Sequence, residues 1–395
     1  MRKTVRDVDV GNKKVLVRVD FNVPLDARGR ITSDSRIRAT LPTIKYLLDR
    51  GASVILCSHL GRPGGKRVEG LSLRVAAQRL SELLDRPVEM ATDCIGAEVQ
   101  KMAGNLETGE VLMLENLRFH PEEKDNDDSF AQSLAGLAEI YVNDAFGASH
   151  RAHASIVGIP KHLPAVSGLL LEREIRTLGN LLKNPDRPFG GLFGGAKVSD
   201  KVATLENLMK KLDFLLIGGA MAALFLKAKG YEIGESKIEL EEVDTARLLM
   251  EKMGSTETRL TLPVDLVVAE SIDSEANMET VSTEKIPPNM KIVDIGPRTM
   301  RDFQEKLQDC RTILWNGPMG IYEVPLFATG TKGIANYLAE LKATTIVAGG
   351  STADVIDDLA LADKITFVST GGGAALEYLA GASLPGMEAL PEAQP

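Results

Sequence analysis

Gly194, Gly195, Lys197 and Lys201 crowd one short run, GLFGGAKVSDKVATLENLMKKL (191–212), where a glycine turn meets a helical pattern. Backbone N–H groups at a helix start carry partial positive charge, and glycine lets backbone approach a ligand closely, so the run suits phosphate. Its spacing is not G-x-x-x-x-G-K-[ST], the closed phosphate loop. The other chemistry-bearing residues fall into two groups. In the first half, successive apolar runs are followed by Asp20 and Asn22; by Ser58, His59 and Arg62; by Glu115, Asn116, Arg118 and His120; and by Asn143, Asp144, His150 and Arg151. In the second half the same places carry Gly194–Gly195, Gly218–Gly219, Gly317, Gly349–Gly350 and Gly371–Gly373. Arginine forks suit carboxylates and phosphates, and glycine turns suit a polyphosphate. One arginine after a strand is ordinarily a solvated surface group, and one Gly-Gly pair a tight turn. Repetition after strand upon strand argues for use. A small polyanion on one domain and a nucleotide on the other imply group transfer between them, with domain closure. No acid–base dyad or nucleophilic triad is evident.

The elements that must position these residues alternate. KKVLVRVDFN (13–22), ASVILCSHLGRP (52–63), GEVLMLENLRFH (109–120) and AEIYVNDAFGASH (138–150) read as strands. SRIRATLPTIKYLLDRG (35–51) and LSLRVAAQRLSELLDRP (71–87) read as helices; in the first, Ile37, Leu41, Ile44, Leu47 and Leu48 recur at helical spacing and Gly51 stops it. Such alternation predicts a parallel sheet covered on both faces, with ligands at the carboxyl ends of the strands. The second half repeats the theme with strand candidates GLFGGAK (191–197), DFLLIGGA (213–220), VDLVVAE (264–270), KIVDIG (291–296), TILWNGP (312–318), TTIVAGG (344–350) and ITFVSTGGG (365–373). Between the halves, AVSGLLLEREIRTLGNLLKN (165–184) is a long helical pattern that reads as a connector. The expected architecture is α/β: two doubly wound, Rossmann-like parallel-sheet domains, 1–165 and 185–379, facing a central cleft and joined by an interdomain helix, 166–184.

Composition agrees. The chain has 395 residues, 44% hydrophobic and 26% charged, enough for two cores. A net charge of −9 argues against a nucleic-acid partner. Cys57, Cys94 and Cys310 stand far apart without a C-x-x-C pair, so neither a disulfide framework nor a zinc motif is read, and a reducing cytoplasm is expected. The start, MRKTVRDVDVGNKK, is too charged for a secretory signal, and FLLIGGAMAALFL (214–226) falls short of the ~20 residues of a membrane span. No membrane partner is expected.

The sequence resembles the phosphoglycerate kinase family from end to end. VRVDFNVP (17–24), SHLGRP (58–63), LENLRFH (114–120), VNDAFGASHRAHAS (142–155), GGAKVSDK (194–201), LPVDLVVA (262–269), WNGPMGIYE (315–323) and STGGGAALEYL (369–379) carry the likeness, in order. The resemblance implies a monomer of two hinged lobes with the tail, 380–395, packed back on the N-terminal lobe. It implies reversible phosphoryl transfer between 1,3-bisphosphoglycerate plus ADP and 3-phosphoglycerate plus ATP, with Mg²⁺ carried by the nucleotide. By that likeness Asp20, Phe21 and Asn22 meet the glycerate, and Arg36, His59, Leu60, Gly61, Arg62, Arg118 and Arg151 form the phosphoglycerate patch. Lys197 reaches the transferring phosphoryl, and Lys201 and Gly349, Gly350, Ser351 and Thr352 hold nucleotide phosphates. Glu323 meets the ribose, and Gly371, Gly372 and Gly373 face the migrating group, so Arg36, Lys197 and these glycines are the catalytic set.

One departure stands out. AGGSTADV (348–355) has Ser351 where the family has the aspartate that meets Mg²⁺. Either Ser351 or Thr352 caps the following helix, or Mg²⁺ is held by phosphate oxygens and water with Asp354 assisting. A two-lobed solute-binding protein and a dinucleotide-dependent oxidoreductase fit less well, the first for want of a signal, the second for want of G-x-G-x-x-G. A catalytically weakened family member with a binding role is the remaining alternative.

Overall fold

Runs of valine and leucine too apolar to face water on either side dictate buried strands, and amphipathic segments between them supply the covering helices. In the computed structural model the chain divides into two compact units: unit 1, Met1–Arg176 with Ser383–Pro395, and unit 2, Thr177–Ala382. The structure describes residues 2–195 and 197–393. Met1, Ala196, Gln394 and Pro395 lie outside the described residues, and with them the first residue of the expected N-terminal domain, one residue of the GGAK run and the end of the expected tail.

Unit 1 is built on β1 (Lys14–Arg18), β2 (Ser53–Cys57), β3 (Glu89–Met90), β4 (Val111–Met113), β5 (Ile140–Asn143) and β6 (Ala165–Ser167). All pair in parallel, in the order β3-β4-β2-β1-β5-β6. The chain winds one way from β1 and reverses at β5, so the switch point of the sheet lies between them, where such sheets open a ligand crevice. Helix Ser35–Asp49 crosses from β1 to β2 and buries Ile37, Ile44 and Leu47 in a core with Val15, Val17, Val54 and Leu56. Residues 383–393 join this unit: the Gly386 N–H donates to Ser149 O (2.8 Å) and the Lys3 N–H to Pro391 O (2.9 Å).

The helical pattern expected from residue 165 begins later. Ala165–Ser167 adds as strand β6 beside β5, and the helix runs Leu169–Lys183. Gly168 makes the junction: its N–H bonds Asn143 O at 2.8 Å, and a Cβ there would lie 2.1 Å from Asp144 Oδ1. That oxygen accepts from the N–H groups of Leu170 (2.9 Å) and Leu171 (3.2 Å), which fixes the helix start.

Unit 2 contains β7 (Phe189–Phe193), β8 (Phe214–Ile217), β9 (Arg259–Thr261), β10 (Asp265–Ala269), β11 (Met278–Ser282), β12 (Lys291–Ile295), β13 (Thr312–Asn316), β14 (Thr344–Val347) and β15 (Phe367–Val368). Six pair in parallel as β15-β14-β13-β7-β8-β9, again doubly wound, with the switch point between β7 and β13. VDLVVAE and KIVDIG do not extend this sheet. They become β10 and β12 of a separate antiparallel sheet, β11-β10-β12. The segment between β10 and β11 is too short for the crossover of about a dozen residues that parallel pairing needs, and β11 is largely exposed, as one-faced antiparallel strands are. Two other candidates shorten: GLFGGAK is strand only to Phe193, and ITFVSTGGG only over Phe367–Val368. Among the described residues no helix is long and apolar enough to cross a membrane.

Candidate functional site

In unit 1 the chain leaves β1 at Arg18 and passes directly through the sequence-expected patch. Asp20 Oδ2 accepts from Arg36 Nη1 at 2.6 Å. Asn22 Oδ1 accepts from the Gly61 N–H at 2.8 Å, and Gly61 O accepts from Arg118 Nη1 at 2.9 Å. Gly61 has φ +64°, a conformation side chains avoid. Arg118 rides on the short turn Leu117–Phe119, where Asn116 Oδ1 accepts from the Arg118 N–H (3.1 Å) and Asn116 Nδ2 ties down the carbonyls of Leu60 and Leu71 (2.8 Å each). Phe21 and Leu60 are buried in the core, so only their backbone could meet a ligand. Arg62 and Arg151 are exposed, and Arg151 Nε donates to His150 Nε2 at 3.0 Å.

The electrostatics of this cluster are one-sided. Burial, then the charges of Arg18, Arg118 and Arg36, hold His59 well below the usual imidazole range, so it is neutral at physiological pH. A guanidinium can only donate, so Arg18 Nη2, 3.0 Å from His59 Nδ1, fixes Nδ1 as acceptor and leaves the proton on Nε2. Burial and the neighbouring Arg18 lower Arg118 to about 10, so it stays charged, and its Nε is buried without a partner. Arg18 is the residue of this cluster that the sequence reading missed. It ends a valine-rich strand, and the signal was there: an arginine within so apolar a run is buried only with a partner, as it is here. Its Nε donates to Ser155 Oγ (2.9 Å), which in turn donates to the buried Glu123 (2.6 Å). Arg118 thus has Arg18 and Arg151 as well as Asp20 and Glu123 for neighbours, and cations gather around two neutral histidines, His59 and His153, the latter lowered to about 4 by burial and by Arg118, Arg18, Arg151 and Lys124. Such a gathering of guanidinium groups suits an anion.

In unit 2 the carboxyl ends of β7, β13 and β14 surround a pocket of about 240 Å³, lined by Gly195, Lys197, Asp200, Lys201, Asn316 to Pro318 and Gly349 to Thr352. Backbone closeness makes glycine obligatory at its floor: a Cβ on Gly194 would lie 2.1 Å from Pro318 O, and one on Gly317 2.4 Å from Gly194 O. The helical pattern that the run suggests does not carry the two lysines together. Lys197 precedes the short turn Ser199–Lys201; its side chain is 58% exposed and pairs with Glu239 at 3.6 Å. Lys201 is only 8% exposed, and its Nζ donates to Gly194 O. Burial lowers it to about 8.

The capping expectation for Ser351 and Thr352 also fails. Helix Gly350–Asp358 has Gly349 at its N-cap and no side-chain cap. Thr352 Oγ1 instead accepts from the Gly317 N–H at 2.6 Å, tying the loop after β13 to this helix, and Ser351 is exposed in the first turn. Asn316 Nδ2 donates to Ala348 O at 2.7 Å, while Asn316 Oδ1 is buried without a partner. Gly371 to Gly373 open helix Gly373–Leu379, with Gly372 at φ +52°, but they are not among the residues lining this pocket. Nor is Glu323, which is exposed beside Tyr322; burial, Asp354 and Glu323 push that phenol up to about 12.

Comparison with known proteins gives a consistent result. The family model described as Phosphoglycerate kinase matches residues 5–382. The chain is 52% identical over 390 residues to the phosphoglycerate kinase of Desulforudis audaxviator, covering 99% of each chain. It is 50% identical over 394 residues to that of Desulfosudis oleivorans, covering 100% of each. Among solved structures it is similar to phosphoglycerate kinase from Coxiella burnetii (TM-score 0.85, 38% identity, 98% of each chain). It is likewise similar to the enzyme from Pyrococcus horikoshii OT3 (TM-score 0.88, 34% identity, 99% of this chain and 98% of that one).

Proposed function

The chain belongs to the phosphoglycerate kinase family, and we propose that its unit 1 patch holds the phosphoglycerate while its unit 2 pocket holds the nucleotide phosphates. The reaction is reversible phosphoryl transfer between 1,3-bisphosphoglycerate plus ADP and 3-phosphoglycerate plus ATP, a step of glycolysis. The observation that carries the division of labour is the guanidinium cluster of unit 1, in which Arg118 Nε is buried and unpaired. Leaving such a donor unmet costs about 1–3 kcal/mol, which a bound phosphate or carboxylate oxygen would recover.

The acceptor in the ATP-consuming direction is a carboxylate, ionised above about pH 4, so no general base is needed. What the reaction needs is two anions held together and the spread charge of the moving phosphoryl stabilised. Arg36 and Lys197 are assigned that role, with the N–H groups at Gly371 to Gly373 as fixed dipoles. His59 is a hydrogen-bond donor through Nε2, not a proton shuttle. Arg62, Arg118 and Arg151 bind substrate, Lys201 and Gly349 to Thr352 the nucleotide phosphates, and Glu323 the ribose.

Mg²⁺ carried with ATP or ADP fits the oxygen donors lining the pocket: the orphaned Asn316 Oδ1, the Ser351 hydroxyl and the Asp200 carboxylate. Bound there it would offset phosphate charge. Asp354, one turn along the Ser351 helix, is assigned to assist through water. We further assign the protein as a cytoplasmic monomer. Among the described residues nothing favours a weakened, binding-only protein. Coupling ADP formation to an NADH readout with ATP, Mg²⁺ and 3-phosphoglycerate tests the proposal. Turnover that depends on 3-phosphoglycerate is expected, and ATP consumption indifferent to it would overturn the assignment.

A further inference from the structure

His120 follows the Leu117–Phe119 turn that carries Arg118, yet its ring is engaged elsewhere: Nε2 lies 2.7 Å from Asp93 Oδ1. Asp93 and Cys94 sit in the loop after β3. Ligand atoms of three kinds, a carboxylate oxygen, a thiol sulfur and an imidazole nitrogen, lie within 4.8 Å of one another. We propose that Asp93, Cys94 and His120 bind a borderline-soft divalent cation such as Zn²⁺, at a site distinct from the one that takes the nucleotide's Mg²⁺.

Three features support this. The donors are the N, O and S set that zinc takes, whereas Mg²⁺ keeps to oxygen. Exposure is graded: Cys94 is buried, while the Asp93 and His120 side chains are 44% and 25% exposed, leaving an entry from solvent. The backbone is tied in place, since the Cys94 N–H donates to Asp93 Oδ1 (2.7 Å), the Ala91 N–H to Met113 O (2.9 Å) and the Glu115 N–H to Asp93 O (3.2 Å). Phe130 stands beside the His120 ring, with centroids 5.4 Å apart.

The charge balance closes. With a neutral imidazole, a thiol and a carboxylate the empty cluster carries −1. A divalent cation displaces the thiol proton to solvent, and the imidazole moves its proton to Nδ1 to present the Nε2 lone pair. Cation, thiolate and carboxylate then sum to zero. Asp93 and Cys94 are adjacent and His120 is far along the chain, without the paired cysteine spacing that marks zinc motifs, which is why cysteine spacing alone argued against zinc.

Co²⁺ alone, titrated into the full-length chain, tests the site by absorption. A near-ultraviolet thiolate-to-cobalt charge-transfer band with intense tetrahedral visible bands is expected, bleached by Zn²⁺ and not by Mg²⁺. Cys94→Ser should abolish the charge-transfer band, and Cys57→Ser and Cys310→Ser should keep it. His120→Gln, which leaves the buried cysteine untouched, should weaken Co²⁺ binding by about 10–100-fold. No thiolate band in the parent, a band that survives Cys94→Ser, or one whose affinity ignores His120→Gln would each overturn the proposal.

Discussion

Arg36 is already held, 2.6 Å from Asp20, and it is the unit 1 residue proposed to meet the transferring group. Its removal should therefore tell on turnover. Arg36→Ala is expected to lower kcat by about 10²–10³-fold, the usual worth of one oxyanion donor, and to leave ADP affinity unchanged because Arg36 is in the other unit from the nucleotide pocket. ADP titration alongside steady-state kinetics checks it; lost ADP affinity with intact turnover would reverse the assignment. The lysines should separate. Lys197 is exposed, whereas Lys201 is buried with its Nζ on Gly194 O. Lys197→Met should remove most of kcat, and Lys201→Met should chiefly raise the nucleotide KM. Equal losses of kcat with unchanged nucleotide KM would remove the distinction. Ser351 is exposed and caps nothing, so a carboxylate fits there without breaking a bond. Ser351→Asp should lower the Mg²⁺ concentration for half-maximal activity. Asp354→Asn should raise it if Asp354 assists through water. A Ser351→Asp enzyme with the parent's Mg²⁺ dependence would show that this position does not govern the metal.

Helix Leu169–Lys183 starts on a buried carboxylate and on the Thr43 hydroxyl, which accepts from the Leu169 N–H at 3.0 Å. Asp144 Oδ1 takes two helix N–H groups while Oδ2 is buried without a partner, and burial raises the acid from its ordinary 3.8 to about 6 despite those bonds. Because the folded value is the higher one, the folded state binds the proton more tightly: the stabilisation is complete below about pH 4 and is lost as pH rises through about 6. Asp144→Asn keeps an acceptor oxygen and has no such titration. Its thermal midpoint should gain on the parent's between about pH 4.5 and pH 7.5, by the equivalent of about 2–3 kcal/mol, and a gap that ignores pH would refute the reading. This junction also shows what sequence can and cannot carry. The strand–helix alternation was legible because burial on both faces writes continuous apolar runs, and the patch and glycine loops were legible because they follow those runs. The strand at Ala165–Ser167 was hidden inside an apolar helical pattern, since three residues carry no period. The antiparallel β10–β12 sheet was read into the parallel one because strand pairing direction depends on the connection, not on the strand's own residues. Arg18 was read as strand, and the burial of Lys201 and the partner of Thr352 depend on what packs over them.

Each unit has its own switch point: the arginine patch is at the β1/β5 reversal of unit 1 and the glycine pocket at the β7/β13 reversal of unit 2. Phosphoryl transfer needs attacking and leaving oxygens in line on one phosphorus. If each unit holds one reactant, the chain must bring them together, and a ligand can shift that equilibrium only through contacts that differ between the open and the closed arrangement. A substrate touching one unit supplies few of these; both substrates together supply contacts from each side, including those of Arg36 and Lys197 to the transferring group. The ternary complex should therefore have a smaller radius of gyration than the free protein, with 3-phosphoglycerate alone or Mg-nucleotide alone giving less than the full change. Small-angle scattering of the four ligand states, with a non-transferring ATP analogue to hold the ternary state, measures this directly. Lys197→Met should reduce the ternary compaction and leave both single-ligand states as they are. An unchanged radius in the ternary state would mean that transfer does not draw on closure, and full compaction by one substrate would mean that its contacts already span both units.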